Sequence, residues 1–256
     1  MLFSLKFVAR KTGPIALTLI AFLSLWQILC WSGSFPRTLL IPPADVARTL
    51  LDLTRDGTLE DNLLASARRV FLALAIGGSA GIVFGLFCGT SKTLWRQIGP
   101  LFTALRQIPF IALGPLLILG LGIGEHFIVT LLALAAFFPV ALATLEGARG
   151  VPTRYLEVVA IYRLNPTDRF RYLFLPSVLP AIAAGARIAF GRCWGLVVAA
   201  ELFGATSGLG QMMSWAREMF QIDVVMAGAV IAAAIGIICD ALLRAGARRL
   251  MPWGAT

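Results

Sequence analysis

The sequence predicts an all-α polytopic membrane protein: one transmembrane domain over residues 1–256, six transmembrane helices, and a long basic loop between the fourth and fifth. Three observations carry this. First, the chain is 59% hydrophobic and only 14% charged, with a mean hydropathy of +0.86. No soluble domain hides that much apolar surface. Second, the apolar residues gather in runs near 14–31, 63–89, 98–121, 127–145, 179–203 and 224–243, lengths suited to crossing a bilayer as helices. Third, the cations are one-sided. Six spans place both termini, the 90–97 loop and the 147–175 loop on one face, where thirteen Lys and Arg lie; the opposite loops hold four, Arg37, Arg48, Arg55 and Arg217. By the positive-inside rule the termini and the 147–175 loop are cytoplasmic. The net charge of +9 is explained by these flanking cations and calls for no nucleic acid.

Lys6, Arg10 and Lys11 precede the first run, which reads as an uncleaved first span since no small-x-small cleavage pattern follows. Residues 32–62 form a polar outer loop. Ile41-Pro42-Pro43 is a rigid turn there, Asp45 is a candidate N-cap, and Val46, Leu50, Leu51 and Leu53 mark a short amphipathic helix at the surface. In the second span Gly77, Gly78, Gly81 and Gly85 put small residues on one side, a face suited to close helix packing in lipid. The third span contains Arg106, Pro109 and Pro115, tolerable where they face protein or water, or where Arg106 snorkels to the interface. Glu125 and His126 occupy the turn before the fourth span, far short of a metal or catalytic set.

The fifth span holds Arg187, Arg192 and Glu201, the densest intramembrane charge in the chain. Arg187 and Glu201 are about 21 Å apart along a straight helix and cannot pair directly. Each needs a partner on another helix, in water or at an interface, so Arg187, Arg192, Glu201 and Arg106 are candidate pathway residues. The four cysteines, Cys30, Cys88, Cys193 and Cys239, all lie in apolar runs and read as small buried hydrophobes.

The cytoplasmic loop carries Arg149, Arg154, Arg163, Arg169 and Arg171. Tyr155, Leu156, Val159 and Tyr162 recur at helical spacing, Asn165-Pro166 breaks that helix, and Thr167 to Phe174 begins a second. Two short amphipathic helices at a membrane surface make a charged knob suited either to docking a soluble partner or merely to fixing topology.

This run resembles the coupling motif E-A-A-x3-G-x9-I-x-L-P of ABC importer permeases. Glu157 takes the acidic position, Val158 and Val159 the two alanines, Arg163 the glycine, Leu173 the isoleucine, and Leu175-Pro176 the final pair. LRQIPFIALGPLLILGLGIGE, residues 105–125, and AAELFGATSGLG, residues 199–210, resemble two further patterns of the same family. Together they identify the chain as similar to the permease subunit of a type I ABC importer of the nitrate, sulfonate and taurine group. The resemblance implies a permease dimer, with two copies of this chain favoured over two different chains. It also implies two cytoplasmic ATPase subunits that bind ATP and Mg, and a periplasmic or extracellular substrate-binding protein. Tyr155, Glu157, Val158, Val159, Ala160, Arg163, Leu164, Leu175 and Pro176 would then form the contact with the ATPase. The implied cargo is a small anion or organic acid, and the location a bacterial inner membrane.

The chain carries no G-x4-G-K-[ST] phosphate loop, H-E-x-x-H or G-x-S-x-G motif, so it is expected to hold no cofactor or metal and to catalyse nothing by itself. The alternative is a secondary transporter driven by an ion gradient, with Glu201 and Asp240 as its deep carboxylates.

Overall fold

A backbone in hydrocarbon must satisfy its polar groups within itself, and helices do this locally. The architecture is that of a computed structural model, which describes residues 2–33, 36 and 39–251; for 2–16, 156, 158, 160, 166 and 250 it describes the backbone alone. No strand occurs among the described residues. In chain order the helices are α1 (Leu2–Trp31), α2 (Pro43–Arg55), α3 (Thr58–Ala73), α4 (Ser79–Thr90), α5 (Lys92–Leu105), α6 (Gly114–Leu121), α7 (Glu125–Arg149), α8 (Thr153–Ile161), α9 (Pro166–Arg169), α10 (Leu175–Glu201), α11 (Leu209–Glu218) and α12 (Ile222–Leu250).

Four described helical stretches are long and apolar enough to cross a membrane: Thr58–Thr90, Glu125–Arg149, Thr167–Glu201 and Ile222–Arg249. They outrun the apolar runs of the sequence because polar residues at the ends continue the same helices. The expected third span is broken. Lys92–Leu105 and Phe110–Leu121 meet at 85°, so residues 98–121 are not one straight helix. Pro109 has no N–H, its ring would collide with the carbonyl of Leu105, and it disfavours helix at Ile108. Leu17–Trp31 is a shorter apolar stretch.

The chain forms two compact units, Met1–Glu60 with Met212–Ile231, and Asp61–Gln211 with Ala232–Thr256. In the first, Trp26 Nε1 donates to the Ile41 carbonyl at 3.1 Å, and Thr49 Oγ1 donates to Asp223 Oδ2 at 2.9 Å. The N-cap of α2 is Pro42, with Pro43 opening the helix and Asp45 inside its first turn; the expected cap at Asp45 is displaced. Proline suits the first helical position because its missing N–H lacks a helical partner anyway, and Asp45 then faces the positive end of the helix dipole.

In the second unit α7 is the central post. Phe127, Ile128, Leu131, Leu132, Ala136 and Ala141 on it are wholly buried, and its main neighbours are α4 and α10. Gly77, Gly81, Gly85 and Gly89 recur every four residues and face α7. A methyl on Gly81 would lie 2.8 Å from the Phe137 carbonyl oxygen, and one on Gly85 2.6 Å from that of Ala141. Gly78 meets nothing within 4 Å, so the close-packing face omits it and continues to Gly89 instead. Phe84, Phe102, Phe137 and Phe138 fill the adjoining core, with Phe84 stacked on Phe102 at 5.2 Å.

Candidate functional site

Two features outside the packed core stand out, a basic knob between α7 and α10 and a buried ion network. The knob starts with α8, whose C-terminus is closed by a hydrogen bond from Leu164 N to the Val159 carbonyl at 3.3 Å. This is the reach-back of a Schellman motif, which needs a left-handed residue just before Leu164, normally glycine. Arg163 occupies that position with φ 48°. It is the residue that stands where the resembled motif has glycine, and the backbone there is what that glycine would favour. Next, Asn165 caps the following helix: its Oδ1 accepts from Asp168 N and its Nδ2 donates to Asp168 Oδ2, both at 2.8 Å. Pro166 opens α9 at the position where proline is tolerated best.

The expected second short helix does not stand alone. From α9 the chain passes through a π-helical turn, Phe170–Phe174, directly into α10, so that Thr167–Glu201 runs 35 residues as one helix. The wider π turn accommodates Pro176, which has no N–H to return to the preceding turn. The knob is thereby rigidly joined to a membrane-length helix. Among its predicted contact residues, Tyr155, Glu157, Arg163, Leu164 and Leu175 are exposed, Pro176 is half-buried and Val159 is buried. The side chains of Val158 and Ala160 lie outside the described residues.

The second feature gathers Arg69, Glu125 and Glu201. Arg69 and Glu201 are almost fully buried, with side-chain exposures of 3% and 0%. Arg69 Nη1 donates to Glu201 Oε1 at 2.7 Å and to the Ser207 carbonyl at 2.6 Å. Its Nη2 donates to Glu125 Oε1 at 2.7 Å, and its Nε spans both oxygens of that carboxylate. Glu201 also accepts from Ser66 Oγ at 2.7 Å and, through Oε2, from Gly210 N at 2.8 Å. Every buried side-chain polar atom described has a partner, the condition under which a buried charge pair is tolerated.

The loop between α10 and α11 is shaped by this carboxylate. Gly208 has φ +115°, and a methyl there would fall on the Glu201 carboxylate. Its N–H reaches Asn62 Oδ1 at 2.8 Å, and that of Leu209 reaches Ser66 Oγ at 2.9 Å. The Glu201…Gly208-Leu209-Gly210 pattern is thus a carboxylate capping the start of α11, with glycines where backbone must touch it.

Of the four intramembrane candidates, Glu201 belongs to this network. Arg187 pairs with Asp240 at 2.6 Å, and Arg244 pairs with the other oxygen of Asp240 at 2.7 Å. Arg192 is exposed and Arg106 half-buried at the end of α5; neither forms an ion pair among the described residues. The sequence reading missed Arg69, Ser66 and Asn62 as a set. Their signal was a polar stripe at residues 62, 66 and 69, one face of the helix that leads into the second apolar run, together with a carboxylate at 201 that needed a cation.

The family described as binding-protein-dependent transport system inner membrane component matches residues 81–252. The taurine transport system permease protein TauC of Escherichia coli (strain K12) is 35% identical over 241 residues, covering 92% of this chain and 88% of its own. The nitrate import permease protein NrtB of Leptolyngbya laminosa is 27% identical over 252 residues, covering 95% and 89%. Among solved structures, an inward-facing conformation of the MetNI methionine ABC transporter superposes with a TM-score of 0.58 at 20% identity. It covers 81% of this chain and 99% of the matched one, a likeness of fold.

Proposed function

Because the chain belongs to the family of inner membrane components of binding-protein-dependent transport systems, and so is an ABC importer permease, we propose that it forms the pathway for a small anion as a dimer of identical chains. The taurine and nitrate permeases it resembles support a sulfonate-like or nitrate-like cargo. In this reading two ATPase subunits bind ATP and Mg on the cytoplasmic side, and a substrate-binding protein delivers cargo from outside. Six spans, counting α1 and the bent α5–α6 pair as one each, leave both termini in the cytoplasm.

One observation carries the coupling assignment: the exposed knob is continuous with a membrane-length helix. Ile161 and Tyr162 are 78% and 75% exposed, amid arginines on a cytoplasmic surface, which is what a protein contact leaves uncovered in the isolated chain. Glu157 and Ala160 would sit in a cleft of the ATPase, with Arg163 extending the contact electrostatically. Closure of the ATPase dimer on ATP would push α8 and α9. The π turn and α10 would carry that push into the membrane, because no break lies between Thr167 and Glu201. ATP then biases a two-state pathway by binding its states unequally.

For the pathway, Arg192 and Arg106 are the cations free to meet an anion, whereas Arg187 is engaged with Asp240. Glu201 would act by holding the outer end of α10 to α3 and α7. Purifying the tagged chain from gently solubilised native membranes is expected to bring along an ATPase subunit at equal stoichiometry. Glu157→Lys is expected to lose that subunit and abolish uptake while the chain stays in the membrane. Normal uptake in that variant would sink the coupling assignment.

A further inference from the structure

α10 and α12 face each other across a cavity of about 310 Å³. α10 contributes Ala183, Ala184 and Arg187 to its walls, and α12 contributes Arg244, Ala247 and Arg248. Each set recurs at helical spacing, so each is one face of its helix. The two helices meet closely at another level, where Trp194 Nε1 donates to the Ala232 carbonyl at 2.8 Å. A methyl on Gly236 there would lie 2.9 Å from the Trp194 ring. Further along α12, from Arg244 to Arg248, the facing alanines are too short to fill the space between the backbones, and the cavity results.

Three arginines line this cavity, and no carboxylate is among its described walls. Asp240, beside it, holds two of them: its Oδ1 accepts from Arg187 Nε at 2.6 Å, and its Oδ2 lies 2.7 Å from Arg244 Nη2. This bridge sets the two guanidiniums side by side but satisfies only part of them. Two guanidiniums carry more N–H donors than one carboxylate has lone pairs. Arg248 is exposed, lies one helical turn beyond Arg244, and forms no ion pair among the described residues. Two positive charges thus stand unbalanced between helices that are long and apolar enough to cross a membrane. In that setting an unbalanced cation is costlier than in bulk water, and an anion held among cations gains more. Neither the coupling assignment nor the pathway assignment uses Arg244 or Arg248.

We propose that this cleft binds a doubly charged tetrahedral oxyanion, sulfate or phosphate, through Arg187, Arg244 and Arg248. The two excess charges match a dianion. Planar guanidinium forks match paired oxygens, which a chloride ion does not present. At about 30 Å³ for each water molecule, the cavity has room for such an anion with part of its hydration. The anion comes either free from solution or as the phosphate of a lipid headgroup, since α12 ends at a membrane surface in the orientation proposed above. Once bound, it ties Arg248 to Arg187 and fastens the end of α12 to α10. The site rests on the geometry of this chain and not on the importer reading.

The test is a scintillation proximity assay of radiolabelled sulfate on the purified full chain in uncharged detergent, at constant ionic strength. Its readout is binding and not uptake, so its failure is separate from failure of the importer reading. Saturable binding that phosphate displaces and chloride does not is expected. Arg248→Gln breaks no ion pair and is expected to weaken binding about tenfold, through loss of a charge-assisted hydrogen-bonded contact. Arg249→Gln removes the same charge one residue away, outside the cavity, and leaves binding unchanged. Ala247→Leu keeps every charge but fills the cleft, and is expected to weaken binding by the same factor or more. Displacement of sulfate by dihexanoyl phosphatidic acid at a lower concentration than phosphate identifies a lipid headgroup as the source. Displacement only at an equal or higher concentration identifies the free anion. Absence of saturable binding, displacement by chloride, equal effects of Arg248→Gln and Arg249→Gln, or unchanged binding in Ala247→Leu overturns the proposal.

Discussion

Replacing Arg69 with methionine tests the buried network most directly. The substitution keeps the volume of the aliphatic stem and removes the donors to Glu201, Glu125 and Ser207. Glu201 stays at 0% exposure with only Ser66 Oγ and Gly210 N beside it. Stranding one member of a buried ion pair costs about 3–5 kcal/mol. Glu201→Gln is milder, since Arg69 keeps Glu125, and about 1–3 kcal/mol is expected from the weakened hydrogen bonds. Combining Arg69→Met with Glu201→Gln removes both charges, so the uncompensated carboxylate disappears. The double variant should therefore be more stable than Arg69→Met alone, with a coupling of about 2 kcal/mol between the positions. For a chain of this size each kcal/mol shifts the midpoint by about 2–4 °C. Thermal unfolding of the four proteins in one detergent, followed by size exclusion with tryptophan detection, reads these shifts. A normal midpoint for Arg69→Met, or strict additivity in the double variant, would refute the claim that Arg69 and Glu201 compensate each other.

Gly208→Ala places a methyl on the Glu201 carboxylate at a backbone angle that alanine rarely adopts. A loss of about 2–4 kcal/mol is expected from steric conflict and left-handed strain, read by the same unfolding assay; a midpoint within one degree of wild type contradicts the capping geometry. Arg163→Gly removes the strain at φ 48° and should stabilise the end of α8 by about 1 kcal/mol. Amide exchange across residues 153–161 would then slow about fivefold, and faster exchange would count against the Schellman closure. Gly85→Leu forces α4 away from the Ala141 carbonyl and Thr144. It is expected to destabilise by more than about 3 kcal/mol, whereas Gly78→Ala, with nothing within 4 Å, should be tolerated. Equal effects of those two substitutions would mean that the glycine face is not the packing face.

Hydropathy, glycine spacing and the placement of cations depend only on neighbours along the chain, so the sequence by itself determined the helical class, the membrane-length runs, the basic knob and the family resemblance. The break near Asn165-Pro166 was legible for the same reason, since a proline acts on its own turn. Gly208 and Gly210 were visible as part of a motif, but their purpose was not, because it is defined by the Glu201 carboxylate, earlier in the chain, folding back onto them. The continuity of α9 with α10 was missed: Pro176 reads locally as a helix stop, and only the π turn before it lets the helix continue. The 85° break at Arg106–Pro109 was likewise read as part of a span, as apolar composition carries no direction. Above all, the partner of Glu201 lies 132 residues away. Nothing local ties position 69 to position 201; packing of α10 and of the helical turn after α3 (Leu74–Gly78) against α7 does, and the cost of an unpaired charge in a dry interior makes that pairing obligatory once the helices meet.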